Sequence, residues 1–532
     1  MKELEFKLDI ATKLARKGRV SRRDFVQLAI AAGFTAAMAD TMFTAAARAA
    51  PQKGGHFRMG MGHGATTDSL DPATYPDQMT GTVGWGSMGN SLTEVDAKGH
   101  ITPDLAESFE PGDTPKTWVF KLRKGVTFHN GKNVTPQDVI ASFRHHMGKD
   151  SKSAAKSYVD AIADIKADGN NVVFSLSAAN ADFPYIASDY HIPIMPAKDD
   201  GKVDWQSGVR TGPYMLDKWE PGVRATMKRN PNYYRDTWFD EVTATVIADV
   251  AARTNALSSG EIDYMDRCDL KTLKMLERNP GLNINKILGY GHYIFVMDVR
   301  RPPFDNQDVR NAIKFAVDRV DIANKVFSGI NKPANDDPIA PSIPYAIDPQ
   351  PIHKYDPEMA KSLLKKAGKD SLKIDLSASD AAFTGAVDAA TLFKAHAAAA
   401  NIDINVVRES ADSYWDVVWL KKPFVASYWN GRPVQDLMFS VAYAKGAAWN
   451  DTFWDNQRFN ELLVQARSET DGDKRKAMYA EMQQLVHDDG GLINLCWSTY
   501  VSANTKKLSH GDIASNWDDD GMKITSRWWF VS

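Results

Sequence analysis

Several side-chain types that bind small molecules occur together in residues 426–433. Tyr428 and Trp429 supply two flat apolar rings, Asn430 supplies an amide, and Arg432 supplies a planar guanidinium. A guanidinium can hold a carboxylate or a phosphate through paired hydrogen bonds, and aromatic rings offer flat apolar area to a ligand. A glycine and a proline flank the arginine, and such a turn places these groups on a loop. The alternative is a surface turn that carries two half-buried rings.

Length and composition restrict the function classes that this stretch can serve. The chain has 532 residues, which predicts two or more domains with ample core. Its hydrophobic content of 43% and charged content of 25% are ordinary for a soluble globular protein. A formal net charge of −3 argues against a nucleic-acid partner, because binding nucleic acid requires a basic surface.

The cysteines and histidines argue against a resident metal or haem. Only Cys268 and Cys496 are present, and no Cys-x-x-Cys pair occurs, so we expect no zinc site, no haem attachment and no cofactor. His145 and His146 are adjacent on a predicted helix and point apart, so a metal shared between them is not expected. The two cysteines form either one disulfide or two buried thiols.

Residues 1–50 have the features of an export signal. A charged stretch ends in Ser-Arg-Arg-Asp-Phe at 21–25, an alanine-rich run follows over 28–43, and small residues precede Pro51. This order resembles a twin-arginine signal peptide that is cleaved after Ala49 or Ala50. The apolar run is too short for a membrane anchor, so we expect a mature protein free in the periplasm of a Gram-negative bacterium. The alternative is an amphipathic cytosolic helix.

The elements that must position residues 426–433 are a mixture of strands and helices. Apolar residues share one face over 117–123, which predicts a half-buried strand. Thr135, with a proline after it, predicts the start of the next helix. Apolar residues at helical spacing over 309–327 predict a long amphipathic helix. The fold class predicted from these patterns is α/β.

Short motifs run along nearly the whole mature part of the chain in an order typical of one protein family. They are Leu-Ala-Glu-Ser at 105–108, Lys-Leu-Arg-Lys-Gly-Val at 121–126, Thr-Gly-Pro-Tyr at 211–214, Arg-Asn-Pro at 229–231, Val-Arg at 309–310 with Asp-Arg at 318–319, and Leu-Leu at 363–364 with Ala-Gly at 367–368. On these motifs the chain resembles family 5 of the extracellular solute-binding proteins, the periplasmic oligopeptide-, dipeptide- and nickel-binding components of ABC importers. The series is specific for the family and does not specify the ligand.

The resemblance implies the large, type II form of the two-lobed periplasmic binding protein fold, with two crossing strands between the lobes. The N-terminal lobe would comprise 51–91, 189–287 and 495–532, with an inserted subdomain at 92–188. The second lobe would comprise 288–494. The implied function is capture of a solute by lobe closure and its delivery to an inner-membrane permease with ATPase subunits. We expect a monomer that performs no chemistry on what it holds.

The resemblance also raises a question about charge at the predicted pocket. In peptide-binding members an aromatic residue is followed three positions later by an Asp that pairs with the α-amine of the ligand, and from Trp429 this pattern leads to Arg432. Either Asp436 takes the amine in a shifted register, or Arg432 holds an anionic ligand group, or Arg432 pairs with a protein carboxylate. Thr67 and Asp68 lie in the loop from which the family lines its pocket in the first lobe.

Other functions stay open from the sequence. A nickel, haem, opine or oligosaccharide carrier of the same family is one alternative, and an exported hydrolase is another of a different class. The chain contains no nucleophile elbow and no His-Glu-x-x-His motif, which disfavours the hydrolase. The acidic run at 518–520 is interpreted as a solvated turn, with contact to a permease as the alternative.

Overall fold

The computed structural model describes residues 11–12, 21–36, 38–39, 51–410, 414–447 and 449–531. Within the predicted export signal, a helix spans Arg22–Ala31 and is capped by the Ser21 side chain. The predicted cleavage site at 49–50 lies outside the described residues. In the described part of the chain, no helix is both long enough and apolar enough to cross a membrane.

The strands follow one another along the whole mature part of the chain and are numbered in chain order. They are β1 (His56–Met61), β2 (Thr93–Val95), β3 (Ile101–Pro103), β4 (Ala106–Pro111), β5 (Thr117–Leu122), β6 (Ile162–Asp168), β7 (Asn171–Leu176), β8 (Tyr214–Glu220), β9 (Arg224–Arg229), β10 (Glu241–Val246), β11 (Tyr264–Met265), β12 (Leu282–Met297), β13 (Lys332–Pro333), β14 (Leu372–Ala378), β15 (Ile402–Arg408), β16 (Phe424–Trp429), β17 (Leu492–Thr505), β18 (Leu508–His510) and β19 (Trp528–Phe530).

The helices alternate with the strands, so the predicted α/β class is confirmed. They are α1 (Arg22–Ala31), α2 (Gln78–Gly81), α3 (Pro136–Arg144), α4 (Lys156–Val159), α5 (Phe183–Ile186), α6 (Val250–Ser259), α7 (Leu273–Glu277), α8 (Gln307–Phe315), α9 (Arg319–Lys325), α10 (Pro357–Lys366), α11 (Ala386–Ala398), α12 (Tyr414–Val417), α13 (Gln435–Ala442), α14 (Gln457–Ser468), α15 (Gly472–Asp489) and α16 (Ile524–Arg527). The long helix predicted over 309–327 is divided into α8 and α9, because Asp318 begins a new helix as its N-cap.

Two long antiparallel strands, β12 and β17, join the halves of the main sheet. The sheet has 11 strands, in the order β15-β14-β16-β12-β17-β11-β1-β10-β9-β8, with β13 beside β17. One end of the β12–β17 pair lies beside β11, and the other end lies beside β16. Backbone pairing along two shared strands therefore holds both halves of the sheet in one ladder.

A second sheet of four strands, in the order β4-β5-β7-β6, is built from the part of the sequence between β3 and β8. The predicted strand at 117–123 is β5, and its alternating apolar side chains are buried. The predicted helix start is also confirmed, because Thr135 and Asp138 form a capping box at the first turn of α3.

The buried apolar residues fall into separate cores. The largest contains residues between 290 and 497 only. A second contains residues between 92 and 194. A third combines β1 and β10 with residues from β18, β19 and α16. Cys268 and Cys496 are both buried free thiols, so the disulfide alternative is not realised.

A buried ion pair ties α9 to the largest core. The Arg319 guanidinium donates to both carboxylate oxygens of Asp336 at 2.7 and 2.8 Å, and His353 lies 2.7 Å from the same carboxylate. Burial alone would raise the pKa of Asp336, but Arg319 and then His353 hold that pKa below its ordinary value.

We predict that Arg319→Met destabilises the fold by roughly 3–5 kcal/mol, because the substitution leaves the Asp336 carboxylate buried without its cation. Denaturant unfolding at neutral pH measures this change. Arg458→Met is the matched control, since Arg458 pairs with Glu481 at the surface and its removal should change stability far less. Equal effects of the two substitutions would contradict the prediction.

Candidate functional site

The paired strands β12 and β17 are interrupted by a bulge at Gly289–Gly291. Leu288 pairs with Thr499 and His292 with Trp497, so three residues of β12 face a single residue of β17. A Cβ at Gly289 would lie 2.7 Å from the Tyr500 ring. Only glycine fits this approach, and the bulge marks the point where both strands pass from one half of the sheet to the other.

The turn that contains Arg432 lies directly on this bulge. β16 pairs with β12, with Tyr428 opposite Tyr293 and Trp429 opposite His292. A Cβ at Gly431 would overlap the Cβ of Tyr290. The sequence therefore places the turn against the crossing strands through a contact that only glycine permits.

The predicted site residues of the turn differ in exposure. The Tyr428 side chain is 38% exposed, whereas Trp429 is only 5% exposed. Asn430 is exposed, and its carbonyl accepts a 3.0 Å hydrogen bond from Arg432. Arg432 is half-buried and also donates to the Gly431 carbonyl.

The charge of Arg432 influences ionisable groups from the other half of the chain. Burial raises the pKa of Tyr158, and the charge of Arg432 and a hydrogen bond to it act in the opposite direction. Burial raises the pKa of Asp189, but His191 and, after it, Arg432 bring that pKa below its ordinary value. The buried Nε of Arg432 has no protein partner, and within the described residues Arg432 makes no ion pair. The alternative in which Arg432 pairs with a protein carboxylate is therefore not observed there.

The remaining predicted residues do not join the turn. Asp436 is buried and forms an ion pair with Arg467 at 2.9 Å, which occupies the carboxylate expected to take an amine. Thr67 is exposed. Asp68 is buried, and its Oδ2 accepts a 2.8 Å bond from the Ala65 amide while its Oδ1 has no protein partner among the described residues.

Aromatic rings form a continuous chain around the end of β16. Tyr428 contacts Trp415 at 5.6 Å between ring centroids, and Trp415 contacts Trp419 at 5.7 Å. Trp449 then lies 6.3 Å from Trp419 and 6.1 Å from Trp429. We call these five residues the aromatic wall. Tyr428, Trp415 and Trp449 keep exposed faces, which can stack against a solute.

Sequence reasoning missed two members of this wall. Trp415 and Trp419 sit in a stretch without a distinctive motif, although their spacing of four residues could have indicated a shared helical face. Trp454, which follows Trp449 by five positions, is not part of the wall: it is buried in the core, and its indole donates to Asp489.

A buried carboxyl group lies behind the aromatic wall. Asp451 accepts a 3.1 Å hydrogen bond from the Trp419 indole. Burial raises the pKa of Asp451 to about 7, while Trp419, Trp429 and Ser427 oppose this increase. At neutral pH a substantial share of Asp451 is therefore protonated, so the group can donate as well as accept a hydrogen bond.

The acidic run at 518–520 is not the solvated turn that we predicted. Asp519 and Asp520 are buried, and Tyr264 and Trp528 donate to their carboxylates. Partners from distant parts of the chain bury this run, and the sequence around it contains no sign of them.

Comparison with known proteins places these features in a family. Residues 100–451 match the profile described as "Bacterial extracellular solute-binding proteins, family 5 Middle". The glutathione-binding protein of Pectobacterium atrosepticum is 26% identical over 502 residues, which cover 90% of this chain and 94% of that protein. The dipeptide-binding protein of Escherichia coli K12 is 26% identical over 452 residues, which cover 77% of this chain and 83% of that protein.

Solved structures give the same fold. The periplasmic binding protein DppA of Helicobacter pylori, in complex with the peptide STSA, has a TM-score of 0.73 at 23% identity and covers 90% of this chain and 99% of its own. HbpA2 of Haemophilus parasuis has a TM-score of 0.78 at 19% identity and covers 87% of this chain and 98% of its own. The predicted two-lobed periplasmic binding protein fold is confirmed.

We predict that Asp451→Asn makes the protein more stable at pH 8, by about 1–4 kcal/mol, and changes it little at pH 4. The pKa of Asp451 in the folded protein, about 7, lies above its unfolded value of about 4. The folded state therefore binds more protons between these values, and its stability falls as the pH rises through that window.

Denaturant unfolding at the two pH values measures this difference. Asp150→Asn, at an exposed position, is the control and should follow the wild-type pH profile. A wild-type pH profile for Asp451→Asn would show that the carboxyl group is not held neutral by burial.

Proposed function

The chain belongs to family 5 of the bacterial extracellular solute-binding proteins, and on that premise we propose which solute it captures and how. It is the substrate-binding protein of an ABC importer, and it works with permease and ATPase subunits. The family consists of periplasmic or extracellular transport proteins that are not enzymes. We propose that this member binds a peptide or a similar small polar organic solute in the periplasm and carries it to the permease as a monomer.

The observation that carries this proposal is the position of Arg432. The resemblance puts Arg432 at the position where peptide binders carry a carboxylate. The buried Nε of Arg432 has no protein partner among the described residues. An ammonium group placed beside it would cost several kcal/mol. The solute therefore presents a carboxylate, phosphate or sulfate to Arg432. Glutathione and dipeptides, which two of the relatives bind by name, both carry carboxylates.

We further propose the division of the chain into lobes. The N-terminal lobe comprises 51–91, 189–287 and 495–532, the inserted subdomain comprises 92–188, and the second lobe comprises 288–494. The separate hydrophobic cores support this division. Closure would turn about the bulge at Gly289–Gly291, where the ladder of β12 and β17 changes register.

The binding residues that we propose lie on both sides of this bulge. Tyr428 and Trp429 form the flat surface, and Asn430 and Arg432 form its polar end. Thr67 and Asp68 contribute from the first lobe. Asp436 is not one of these binding residues, because it is engaged in an ion pair with Arg467 that holds α13.

Residues 1–50 are proposed to be a twin-arginine signal that directs the folded protein to the periplasm. The Ser21 cap on α1, directly before Arg22 and Arg23, supports a defined start for the apolar segment.

Mass spectrometry of the solute released from the denatured periplasmic protein tests the function. We expect one small anionic solute in near-stoichiometric amount, together with a more compact protein in small-angle X-ray scattering when the solute is added back. The solute should be recovered unchanged. Steady conversion of it to a product would instead support the exported hydrolase.

Arg432→Gln should weaken binding of the recovered solute by roughly 2–5 kcal/mol, because the solute anion loses its buried charged partner. Isothermal titration calorimetry measures the loss. Arg458→Gln, on the outer face of α14, is the control and should bind as the wild type does. Unchanged affinity of Arg432→Gln would remove the anion from the proposal.

A further inference from the structure

Five buried residues carry polar atoms that have no partner in hydrogen-bonding geometry among the described residues. The atoms are both ring nitrogens of His292, the Ser427 hydroxyl, the Trp429 indole nitrogen, the Tyr443 hydroxyl and one carboxyl oxygen of Asp451. Each of these residues is at most 5% exposed. Folded proteins pair nearly all such atoms, so several of them in one place indicate an occupant. We call these five residues the polar layer.

The register of the main sheet places three of these residues on one face. Trp429 lies directly opposite His292 across β16 and β12, and side chains directly opposite each other share a face. Ser427 precedes Trp429 by two positions in β16, so its side chain lies on that face too. On the other side of His292, the Trp497 ring of β17 lies 5.2 Å away between ring centroids. The three residues therefore occupy neighbouring positions of one surface.

The opposite face of the same strands is filled by apolar ring contacts. Tyr293 stacks on Phe383 at 4.6 Å, and Phe295 stacks on Phe393 of α11 at 5.7 Å. The unpartnered buried atoms of β12 and β16 all belong to the face that carries His292. The two faces of the sheet thus differ in kind, and only one of them offers polar groups to an occupant.

Asp451 lies behind the aromatic wall, next to this polar face. The Trp419 indole donates to one of its carboxyl oxygens at 3.1 Å. Trp449 lies 6.3 Å from Trp419 and 6.1 Å from Trp429, so ring contacts connect Asp451 to the end of β16. Burial raises the pKa of Asp451, and Trp429 and Ser427 are among the groups that oppose this, as groups near the carboxyl would.

Tyr443, which follows α13, lies beside the segment that carries Asp451. The Asn450 side chain donates to the Tyr443 carbonyl at 3.4 Å. Burial raises the pKa of Tyr443, and the Asp451 charge raises it further. The hydroxyl of Tyr443 therefore extends the polar layer on the side of α13.

The polar layer supplies hydrogen-bond donors and acceptors that are mainly neutral. Burial lowers the pKa of His292 to about 3, although the Tyr290 carbonyl opposes this, so the ring offers one donor and one acceptor. The Trp429 indole is a donor, and each hydroxyl can do both. The layer contains no lysine or arginine to hold an anion, and the nearby charge of Arg432 disfavours a cation. An apolar occupant would leave every one of these atoms unpaired, so a neutral polar group fits best.

Trp429 connects the polar layer to the proposed binding surface. Its ring belongs to the aromatic wall, and its indole nitrogen belongs to the polar layer. Arg432 follows three positions later on the same turn, and its Nε also lacks a protein partner among the described residues. A solute held at Arg432, as we propose above, would have the polar layer next to it.

We propose that the polar layer is a specificity subsite for a neutral hydrogen-bonding group of the solute, a primary amide or a hydroxyl, with His292 as its central residue. This inference rests on the proposed function and adds a requirement on the solute besides its anionic group. A solute with an apolar group at this position is rejected, because the polar layer would keep its unpaired atoms.

The probe is acetamide, a minimal neutral amide, and acetone is the comparison, since it has a similar shape without N–H donors. In NMR titrations of the purified periplasmic protein, acetamide should shift the Trp429 indole signal saturably, with a dissociation constant on the order of millimolar. Acetone should bind about tenfold or more weakly. Trp429→Phe assigns the signal.

His292→Leu should weaken acetamide binding about tenfold or more, because a donor and an acceptor are lost. Its melting temperature should equal or exceed that of the wild type, since the imidazole has no partner to lose, whereas a purely structural histidine would lose stability. His292→Gln keeps a donor and an acceptor and should bind acetamide within a few fold of the wild type. His100→Leu, at an exposed position, is the control.

Any of four results would overturn the inference. They are a lack of saturable shift with acetamide, which means that water alone fills the polar layer; equal affinity for acetamide and acetone; unchanged acetamide binding in His292→Leu; and a recovered solute without a primary amide or a hydroxyl. None of these results removes the anion at Arg432, which calorimetry with Arg432→Gln tests separately. If His292→Leu does not fold, Ser427→Ala and the two probes on the wild type still decide the question.

Discussion

Every feature of the site depends on the antiparallel pair β12 and β17. These strands belong to both halves of the main sheet, so their ladder fixes where the two halves meet. The ladder is broken by a bulge at Gly289–Gly291, where an added side chain would collide with Tyr500. In the proposed closure, the lobes would rotate about this interruption of the ladder.

The proposed binding groups of the turn lie close to the bulge at Gly289–Gly291. Gly431 lies against Tyr290 in the bulge, so Arg432 and the aromatic wall are held by the same strands that carry the rotation. The turn with Arg432 is thus held by packing, and in the proposed binding the solute would not have to supply that order.

The sequence predicted those parts of the structure that local chemistry determines. The strand at β5 and the helix start at Thr135 were predicted because alternation and capping act within a few residues. The turn at 426–433 could be selected from the sequence because its aromatic, amide and guanidinium side chains lie close together along the chain, and its binding role stays a prediction. Trp419 and Asp451 were missed because tertiary packing brings them together, 32 residues apart. The acidic run at 518–520 was misinterpreted because Tyr264, one of the residues that bury it, is 255 positions away.

The segment 92–188, which we propose as an inserted subdomain, makes two contacts with the proposed second lobe. Asp182, in the proposed subdomain, forms a buried ion pair with Arg475 of α15 at 2.6 Å, and the Ala181 amide donates to the Arg467 carbonyl at 2.8 Å. Rotation of the second lobe away from the subdomain must break both contacts. In the proposed closure mechanism these two contacts would stabilise the closed arrangement, and the solute would contribute the remaining difference between the two forms.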